Sequence, residues 1–528
     1  MNRLTGRTKL LLLAVSVLEI ALAAIGALAS LEGARVLQAA QLGSWEAAGR
    51  ALALCLGLVA ADAALSLGSA ALMQAMTSHS IQDLRSRLLG SMFARPIRAF
   101  RERDSGWYMN LLTTDCQTFA GDFLATVPLL VSWAARIIAA AGMLYFLHPL
   151  LMAVSLCAAA LPLAAQNLFN RLAARAKKAY SAASAAFTAV MKETVEGCEA
   201  IRMDGSQGPL TERFLGFSAA ERKKRQWVCF VGELSQTFFL ASASLVYLAG
   251  LGMGGWLAAQ GKLDGVLMLA GVNYIVQISN GFGNVISYAI RIRSIRDIRR
   301  KLGRESAWTA QSCPPAGGGD LEYRDVGFSF GERQLFAHFS YAFSPGGCYG
   351  IVGPSGSGKS TLVKLLLKLH DGYTGHILLG GEDISALTDD AVYARVGVLP
   401  QSTCLFNASL YENITMFSGV PAEDSDQYRA LLDQVNLTDL ARQAGDRPLG
   451  EFGDRISGGE RQRICLARCL RTRKPVYIFD EPATGLDPEN AAIIRRAISR
   501  CQATRVVITH DQDPAHLAQF SGVIRLKA

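Results

Sequence analysis

The sequence has too few charged residues for a soluble protein of its length. Only 18% of its 528 residues are Asp, Glu, Lys or Arg, and 50% are hydrophobic, whereas a soluble chain carries about 25% charged residues. The deficit is confined to one part of the chain. Long apolar runs continue to about residue 290, and the sequence beyond residue 319 has the composition of a soluble α/β domain. The composition therefore predicts two domains, the first of them in a membrane.

The sequence also lacks a cysteine framework and internal repeats. Its 11 cysteines are odd in number and scattered, which argues against a set of structural disulfides. Cys465 and Cys469 share one face of a predicted helix, but no two further ligands lie near them in the sequence. Packing is therefore favoured over a metal site at these cysteines.

The net charge of +9 is typical either of a nucleic-acid-binding protein or of a membrane protein with basic cytoplasmic loops. The Lys and Arg residues concentrate in two inter-span loops, at 85–103 and 171–225, and the alternate loops hold little beyond Arg35, Arg50 and Lys262. This asymmetry follows the positive-inside rule and argues against nucleic acid as a partner. We expect an integral membrane protein in contact with lipid, in a bacterial inner (plasma) membrane, with a cytoplasmic N-terminus.

Six apolar runs are long enough to cross a hydrocarbon core of ~30 Å as helices. The predicted spans are 10–28, 51–73, 127–147, 150–165, 229–258 and 266–290. The first resembles a signal peptide, but at about 20 residues it exceeds the usual hydrophobic region and it contains Glu19, so we predict a retained helix. The two basic loops are predicted to be helical extensions that turn near Ser105 and near Gly205.

The predicted organisation is a transmembrane domain at 1–302, a Pro- and Gly-containing linker at 303–318, and a second domain at 319–528. The predicted fold class is an α-helical six-span transmembrane domain plus an α/β domain.

The strongest motif in the second domain matches the P-loop pattern G-x-x-x-x-G-K-[ST]. A predicted buried strand precedes it and a predicted helix follows it, as the pattern requires. Glycines in such a loop let backbone N–H groups wrap phosphates at a helix N-terminus. We expect Lys359 to reach the β- and γ-phosphates of ATP and Ser360 to bind Mg²⁺. The predicted nucleotide-binding residues of this motif are Gly353, Pro354, Ser355, Gly356, Ser357, Gly358, Lys359, Ser360 and Thr361.

Two further motifs complete a predicted site for ATP hydrolysis. A predicted apolar strand ends in Asp480 and Glu481, which suit the Mg²⁺ shell and a general base that polarises the attacking water, respectively. Twenty residues before that strand, Ser457, Gly458 and Gly459 open a helix and form a second anion site. One domain does not need two phosphate grips, so we predict that two copies sandwich ATP between them.

The order of these motifs resembles the ABC ATPase family. The resemblance implies that Gln401 senses Mg²⁺ and the membrane domain, and that Asp487 lies in a loop at the dimer contact. It implies that His510 is the switch histidine at the γ-phosphate, and that Phe330 stacks on adenine. The segments 406–414 and 449–453 are similar to exporter-type members, and 100–115 and 193–202 resemble the two coupling regions of their membrane domains.

The resemblance implies a dimeric half-transporter whose partner is a second copy or a paralogue. It implies an ATP hydrolase coupled to transport, with ATP and Mg²⁺ as cofactors, and export of an unidentified small molecule, lipid or peptide. Import by an exporter-like fold, for example of a metal chelate, and a non-transporting nucleotide-gated regulator are the alternatives. The chain departs from the common family residues at Ile456, Glu460, Pro482 and Asp511, none of which removes a group that the mechanism needs.

Polar residues inside the spans are candidates for the substrate cavity, because they are costly in lipid. In the sixth span they share one helical face, and both a cavity and inter-helix hydrogen bonds explain such a stripe. These residues are Asn273, Gln277, Asn280 and Asn284, and single ionisable candidates elsewhere are Glu19, Asp62, Arg136 and Glu233.

Overall fold

The computed structural model describes residues 5–309, 318, 320–331, 333–401, 403–511 and 513–526. The chain divides into two compact units. The first comprises Met1–Gly90 and Ser105–Ala307, and the second comprises Ser91–Asp104 and Trp308–Ala528. Half of the predicted linker, residues 310–317, lies outside the described residues.

The described chain before residue 306 is helical, apart from short turns. Two π-helical turns, Leu111–Asp115 and Ala120–Leu124, join α4, α5 and α6 into one run. The helices are α1 (Gly6–Gln41), α2 (Trp45–Phe93), α3 (Ile97–Arg101), α4 (Ser105–Asn110), α5 (Cys116–Phe119), α6 (Thr126–Leu147), α7 (Pro149–Ala158), α8 (Ala160–Glu196), α9 (Cys198–Asp204), α10 (Gln207–Ala259), α11 (Leu267–Ser294) and α12 (Arg296–Glu305).

The predicted spans fall on these helices, apart from Ala159 between α7 and α8 and Val266 just before α11, but their hydropathy is uneven. Among the described residues, four helical runs are long and apolar enough to cross a membrane by length and composition: Gly6–Gln41, Trp45–Phe93, Ser105–Leu147 and Gln207–Ala259. The predicted fourth span falls on α7 and the start of α8, where the shorter apolar stretch is Pro149–Pro162. The sixth falls on α11, which carries the four amides and is not among these four runs.

The long helices of the first unit pack as antiparallel pairs. Ring contacts between Phe169 and Phe238, at 5.1 Å, and between Phe187 and Phe214, at 5.2 Å, pair α8 with α10. The predicted turn before α10 is confirmed: α9 ends at Asp204, and Gly205 adopts a left-handed φ of +72°, which glycine tolerates at helix C-termini. A separate core joins α1, α6 and α11, where the buried Tyr274 hydroxyl donates to the Ala27 carbonyl at 2.8 Å.

The second unit contains two sheets. Its strands are β1 (Leu321–Phe330), β2 (Arg333–Phe343), β3 (Cys348–Val352), β4 (Thr374–Leu379), β5 (Glu382–Asp383), β6 (Val396–Leu399), β7 (Val476–Asp480), β8 (Thr504–Ile508) and β9 (Gly522–Arg525). Strands β2, β1, β4 and β5 form an antiparallel sheet in that order, and β6, β7, β8, β3 and β9 form a parallel sheet.

Helices and turns cover these sheets. They are α13 (Lys359–Leu366), α14 (Asp389–Arg395), α15 (Leu410–Thr415), α16 (Asp426–Gln434), α17 (Thr438–Ala444), a 3₁₀ turn at Glu451–Gly453, α18 (Gly458–Arg471), α19 (Pro488–Ser499) and α20 (Pro514–Leu517). In the parallel sheet, the carboxyl ends of the strands meet at one edge, which is where α/β proteins bind ligands. The segments after β3, β6, β7 and β8 therefore emerge side by side, and they carry the predicted catalytic residues.

Candidate nucleotide site

The P-loop follows β3 and leads directly into α13. Gly356 and Gly358 have φ values of +81° and +90°, in the left-handed region that glycine enters without strain. The Lys359 side chain is buried, and its Nζ donates to the carbonyl oxygens of Gly353 and Pro354 at 2.8 and 2.9 Å. The lysine amine is therefore held inside the loop, at the start of the helix.

Gly358 is expected to tolerate no side chain. A Cβ there would lie 2.5 Å from Cζ of Phe336, and a left-handed φ costs about 1–2 kcal/mol for other residues. We expect Gly358→Ala to lower the unfolding temperature of the full chain and to weaken ATP binding. Gly372→Ala is the matched control, since Gly372 has φ +80° and nothing within 4 Å of its Cβ position. Equal shifts in thermal unfolding for the two variants would contradict the steric part of this prediction.

Asp480 is the last residue of β7, and Ser360 hydrogen-bonds to its side chain. Burial, followed by the neighbouring Glu481 carboxylate, raises the pKa of Asp480, and Ser360, Lys364 and Lys359 partly offset the rise. Its Oδ1 atom is buried without a hydrogen-bond partner. An unpaired buried carboxylate oxygen beside a hydroxyl suits Mg²⁺, which prefers oxygen ligands. Asp480 and Ser360 therefore fit the predicted metal site.

Glu481 lies between two of the other predicted residues. One carboxylate oxygen is 2.7 Å from Nε2 of His510, and the other accepts a hydrogen bond from Nε2 of Gln401 at 3.1 Å. Glu481 has a left-handed φ of +50°, and its backbone N–H donates to the Ile508 carbonyl at 3.0 Å. Because β6, β7 and β8 are neighbours, the residues that follow them converge. Gln401 contacts Glu481 here, and its predicted role as a metal ligand stays a prediction.

The predicted second anion site is the N-terminus of α18. Ser457 caps this helix: its hydroxyl accepts from the Glu460 N–H at 3.2 Å, and the Glu460 carboxylate accepts from the Ser457 N–H at 2.8 Å. The departure to glutamate at 460 thus completes a capping box. Gly458 and Gly459 follow, and a Cβ on Gly459 would lie 2.7 Å from the Asn490 side chain. Among the described hydrogen bonds, none joins this helix start to the P-loop of the same chain.

Asp487 caps the neighbouring helix α19. Its carboxylate accepts from the Asn490 N–H at 2.9 Å and from the Asn490 amide at 2.6 Å. These bonds hold the pKa of Asp487 below its ordinary value. Asn490 also accepts from Arg463 of α18 at 2.8 Å, so one asparagine ties the Asp487 loop to the Ser457 helix.

Phe330, the predicted adenine platform, ends β1 and is 48% exposed. Its ring makes edge contacts with Phe328 at 5.0 Å and with His370 at 5.1 Å, so these rings fix its orientation. The next strand supplies Arg333, whose guanidinium donates to the Gly356 carbonyl at 3.4 Å. The hairpin of β1 and β2 thus carries both the exposed ring of Phe330 and the arginine that contacts the P-loop.

Several residues of the site could not be recognised in the sequence. Phe336 beneath Gly358, Asn490 and Arg333 belong to no motif. The departure at Asp511 gains a structural explanation: its carboxylate lies 2.9 Å from His516 Nδ1 and accepts from the Asp513 N–H at 3.0 Å. These contacts fix the turn that carries His510. The same turn lines a cavity of about 450 Å³ that also reaches Glu481.

The family model described as "ABC transporter transmembrane region" matches residues 10–282, and the model described as "ABC transporter" matches residues 336–484. A solved structure of a bacterial Atm1-family ABC exporter with ATP bound aligns with a TM-score of 0.82 at 18% identity, over 100% of this chain and 94% of that one. At that identity, the alignment shows the fold alone.

Two curated relatives cover most of this chain. "ATP-binding cassette sub-family B member 10, mitochondrial" of Mus musculus is 26% identical over 86% of this chain and 66% of its own length. "Mycobactin import ATP-binding/permease protein IrtB" of Mycolicibacterium thermoresistibile is 29% identical over 71% of this chain and 67% of its own length. The chain thus spans about two thirds of the length of these two relatives.

Proposed function

We infer that this chain, which belongs to the ABC transporter family as a half-transporter with an exporter-type fold, hydrolyses ATP in a dimer to move a substrate across its membrane. ATP binding follows from the family, and the membrane-spanning helices make it an integral membrane protein. The proposal adds the residues that carry out hydrolysis, the composite nature of the site and the coupling to transport.

The observation that carries the proposal is the position of Glu481. It lies at the carboxyl edge of the parallel sheet, 2.7 Å from His510 and 3.1 Å from Gln401, and it follows directly after Asp480. A general base must have a hydrogen-bond partner that orients it toward water. A carboxylate held from both sides meets that need, and a regulator that does not turn ATP over has no use for it.

In the proposed mechanism, one copy binds ATP and Mg²⁺, and the other copy closes over the γ-phosphate. Backbone N–H groups of residues 353–358 and the Lys359 amine hold the phosphates, and Phe330 stacks on the adenine. Ser360, Asp480 and Gln401 would hold Mg²⁺, which neutralises phosphate charge when it is bound. Glu481 accepts the proton of the attacking water, and His510 orients Glu481 and contacts the γ-phosphate.

The second copy supplies the N-terminus of α18. The helix start at Ser457, Gly458 and Gly459 presents the backbone N–H groups of the two glycines and the positive end of the helix dipole to the γ-phosphate of the first copy. Asp487, in the loop beside that helix, contacts the opposite ATPase domain. Closure of the two domains over ATP is proposed to move the membrane helices, because open and closed states differ in their affinity for ATP.

Export is the proposed direction, and import is a second candidate. The exporter-type fold favours export, whereas one relative of the same architecture is named as a mycobactin importer. A metal chelate is therefore a candidate cargo for the import alternative. ATP-driven flux in proteoliposomes with one orientation of the ATPase domain would distinguish the two directions.

The composite site is tested by complementation between copies. Lys359→Ala removes the phosphate grip, and Ser457→Arg blocks the helix start. Each homodimer is expected to lose about 10²-fold or more in turnover, the size of effect seen when one transition-state donor is removed. A heterodimer of the two variants retains one intact site if ATP is shared between copies, and none if each copy hydrolyses alone.

We therefore expect ATPase activity to reappear when the two variants are co-expressed and purified through different tags. The control is a heterodimer of wild type with a chain that carries both substitutions, which has no intact composite site. A wild-type preparation that is monomeric by mass measurement and hydrolyses ATP at full speed would overturn the proposal.

A further inference from the structure

An arginine lies in the middle of a membrane helix, where no chain end or turn is near. Arg136 is the one charged residue of α6 (Thr126–Leu147), which has only apolar and small polar residues on either side. At 1.5 Å per residue, it is roughly 15 Å along the axis from both helix ends. An arginine side chain is too short to reach the lipid headgroups over that distance, so snorkelling does not explain it.

Arg136 has no acidic partner among the described residues. Its guanidinium makes a cation–π interaction, with Cζ 5.7 Å from the Trp133 ring, and its Nη1 lies against α1, 3.8 Å from the position of a Cβ on Gly26. The two acids of α1 are engaged elsewhere: Glu19 accepts from Ser69 at 2.6 Å, and Glu32 pairs with Arg35. Helix α11 has no acidic residue. A cation–π contact offsets only part of the cost of a cation in lipid, so the guanidinium lacks a counter-charge.

The amide stripe of α11 lies at the same level. Gly281 packs against α6 so closely that a Cβ there would be 2.5 Å from Ile137 and 3.8 Å from Trp133. Because Arg136 adjoins Ile137 and Asn280 adjoins Gly281 in the sequence, Arg136 lies at about the same depth as Asn280 and Asn284.

The amides of this stripe are poorly satisfied. Asn284 donates to the Asn280 carbonyl of its own helix at 2.9 Å. For Asn273, Gln277 and the Asn280 side chain, no hydrogen bond is formed within the described part of the chain. Inter-helix bonding inside one copy therefore does not account for the stripe, although amides in lipid need partners.

We propose that Arg136 binds an anionic group of the transported substrate, and that the α11 amides bind polar groups beside it. This rests on the proposed transport function and assigns the substrate to the acidic amphiphiles: a carboxylate, phosphate or sulfonate attached to an apolar body. Arg136 provides the counter-charge that the anionic group of the substrate lacks in lipid. Asn280 and Asn284 provide neutral donors and acceptors at the same depth.

The test uses the full chain in phosphatidylcholine nanodiscs and compares dodecanoate with dodecanamide, which differ in charge but not in chain length. We expect dodecanoate to stimulate wild-type ATPase activity at concentrations about tenfold below those of dodecanamide. Arg136→Gln should lose that preference, Arg136→Lys should keep most of it, and Asn280→Ala should weaken the response to both compounds. The ratio of stimulated to basal activity is the readout.

The control is Lys262→Gln. Lys262 also lies over an indole, 6.0 Å from the Trp256 ring, but in the connection between α10 and α11. It should leave the preference for dodecanoate unchanged. If Arg136→Gln does not fold, Arg136→Lys and Arg136→Met decide the comparison.

Three results would overturn the proposal. One is an equal response of wild type and Arg136→Gln to dodecanoate. Another is a wild type with basal ATPase activity that responds to none of dodecanoate, dodecyl phosphate and dodecanesulfonate. The third is recovery of the Arg136→Asp variant by Asp62→Arg, which would make the α2 carboxylate of a second copy the structural partner. In each of these cases the wild type keeps its basal ATPase activity. A wild type without basal ATPase activity would instead contradict the proposed function itself.

Discussion

Glu481→Gln is expected to bind ATP with unchanged affinity and to lose about 10²–10⁴-fold in turnover, the contribution of a positioned general base. Glutamine has the same shape, so its amide still fits between His510 and Gln401, which are 2.7 and 3.1 Å from the native carboxylate. It cannot accept the proton of water. ATP therefore stays bound, and the two ATPase domains stay closed around it.

The measurement is ATPase activity of the full chain in nanodiscs, together with the amount of ATP retained after rapid filtration. Glu423→Gln is a suitable control, because it removes the same charge from an exposed position of the same domain. We expect the control to turn over normally and to retain no ATP. Normal turnover in Glu481→Gln would exclude Glu481 as the base.

The family resemblance implied that Gln401 and His510 act beside Glu481, and the strand before Glu481 could be predicted from its apolar run. The geometry that holds Glu481 could not. Its φ of +50° is a property of the turn after β7, and no residue type in that turn predicts a left-handed φ. The same holds for Asn490, which joins α18 to α19 through contacts that only the packed helices create.

In the membrane unit, apolar runs predict where helices lie but not which residues face one another. The pairing of α8 with α10 depends on contacts of Phe169 with Phe238 and of Phe187 with Phe214. The positions of these rings in the sequence follow no evident helical period. The segment Ser91–Asp104 is another case. It belongs to the second unit, where Arg98 pairs with Asp371, although the sequence predicts a helical extension of the membrane domain there and, from residue 100, resembles a coupling region of that domain.

Lys359→Ala is expected to weaken ATP binding by about 10- to 150-fold, since a hydrogen bond to a charged group contributes about 1.5–3 kcal/mol. The buried Lys359 amine lies 2.8 and 2.9 Å from the carbonyl oxygens of Gly353 and Pro354. Alanine removes both the charge that the phosphates need and the donor that these carbonyls share, so the loop also loses part of its shape.

ATP affinity of the full chain is measured by equilibrium binding in the presence of Mg²⁺, with Arg324→Ala as the control. Arg324 is an exposed cation of the same domain, paired with Glu322, and its loss should leave affinity unchanged. Unchanged affinity in Lys359→Ala would contradict the phosphate grip. The double variant Lys359→Ala with Glu481→Gln should retain no ATP, because a closed dimer cannot be trapped around a nucleotide that its own P-loop no longer holds.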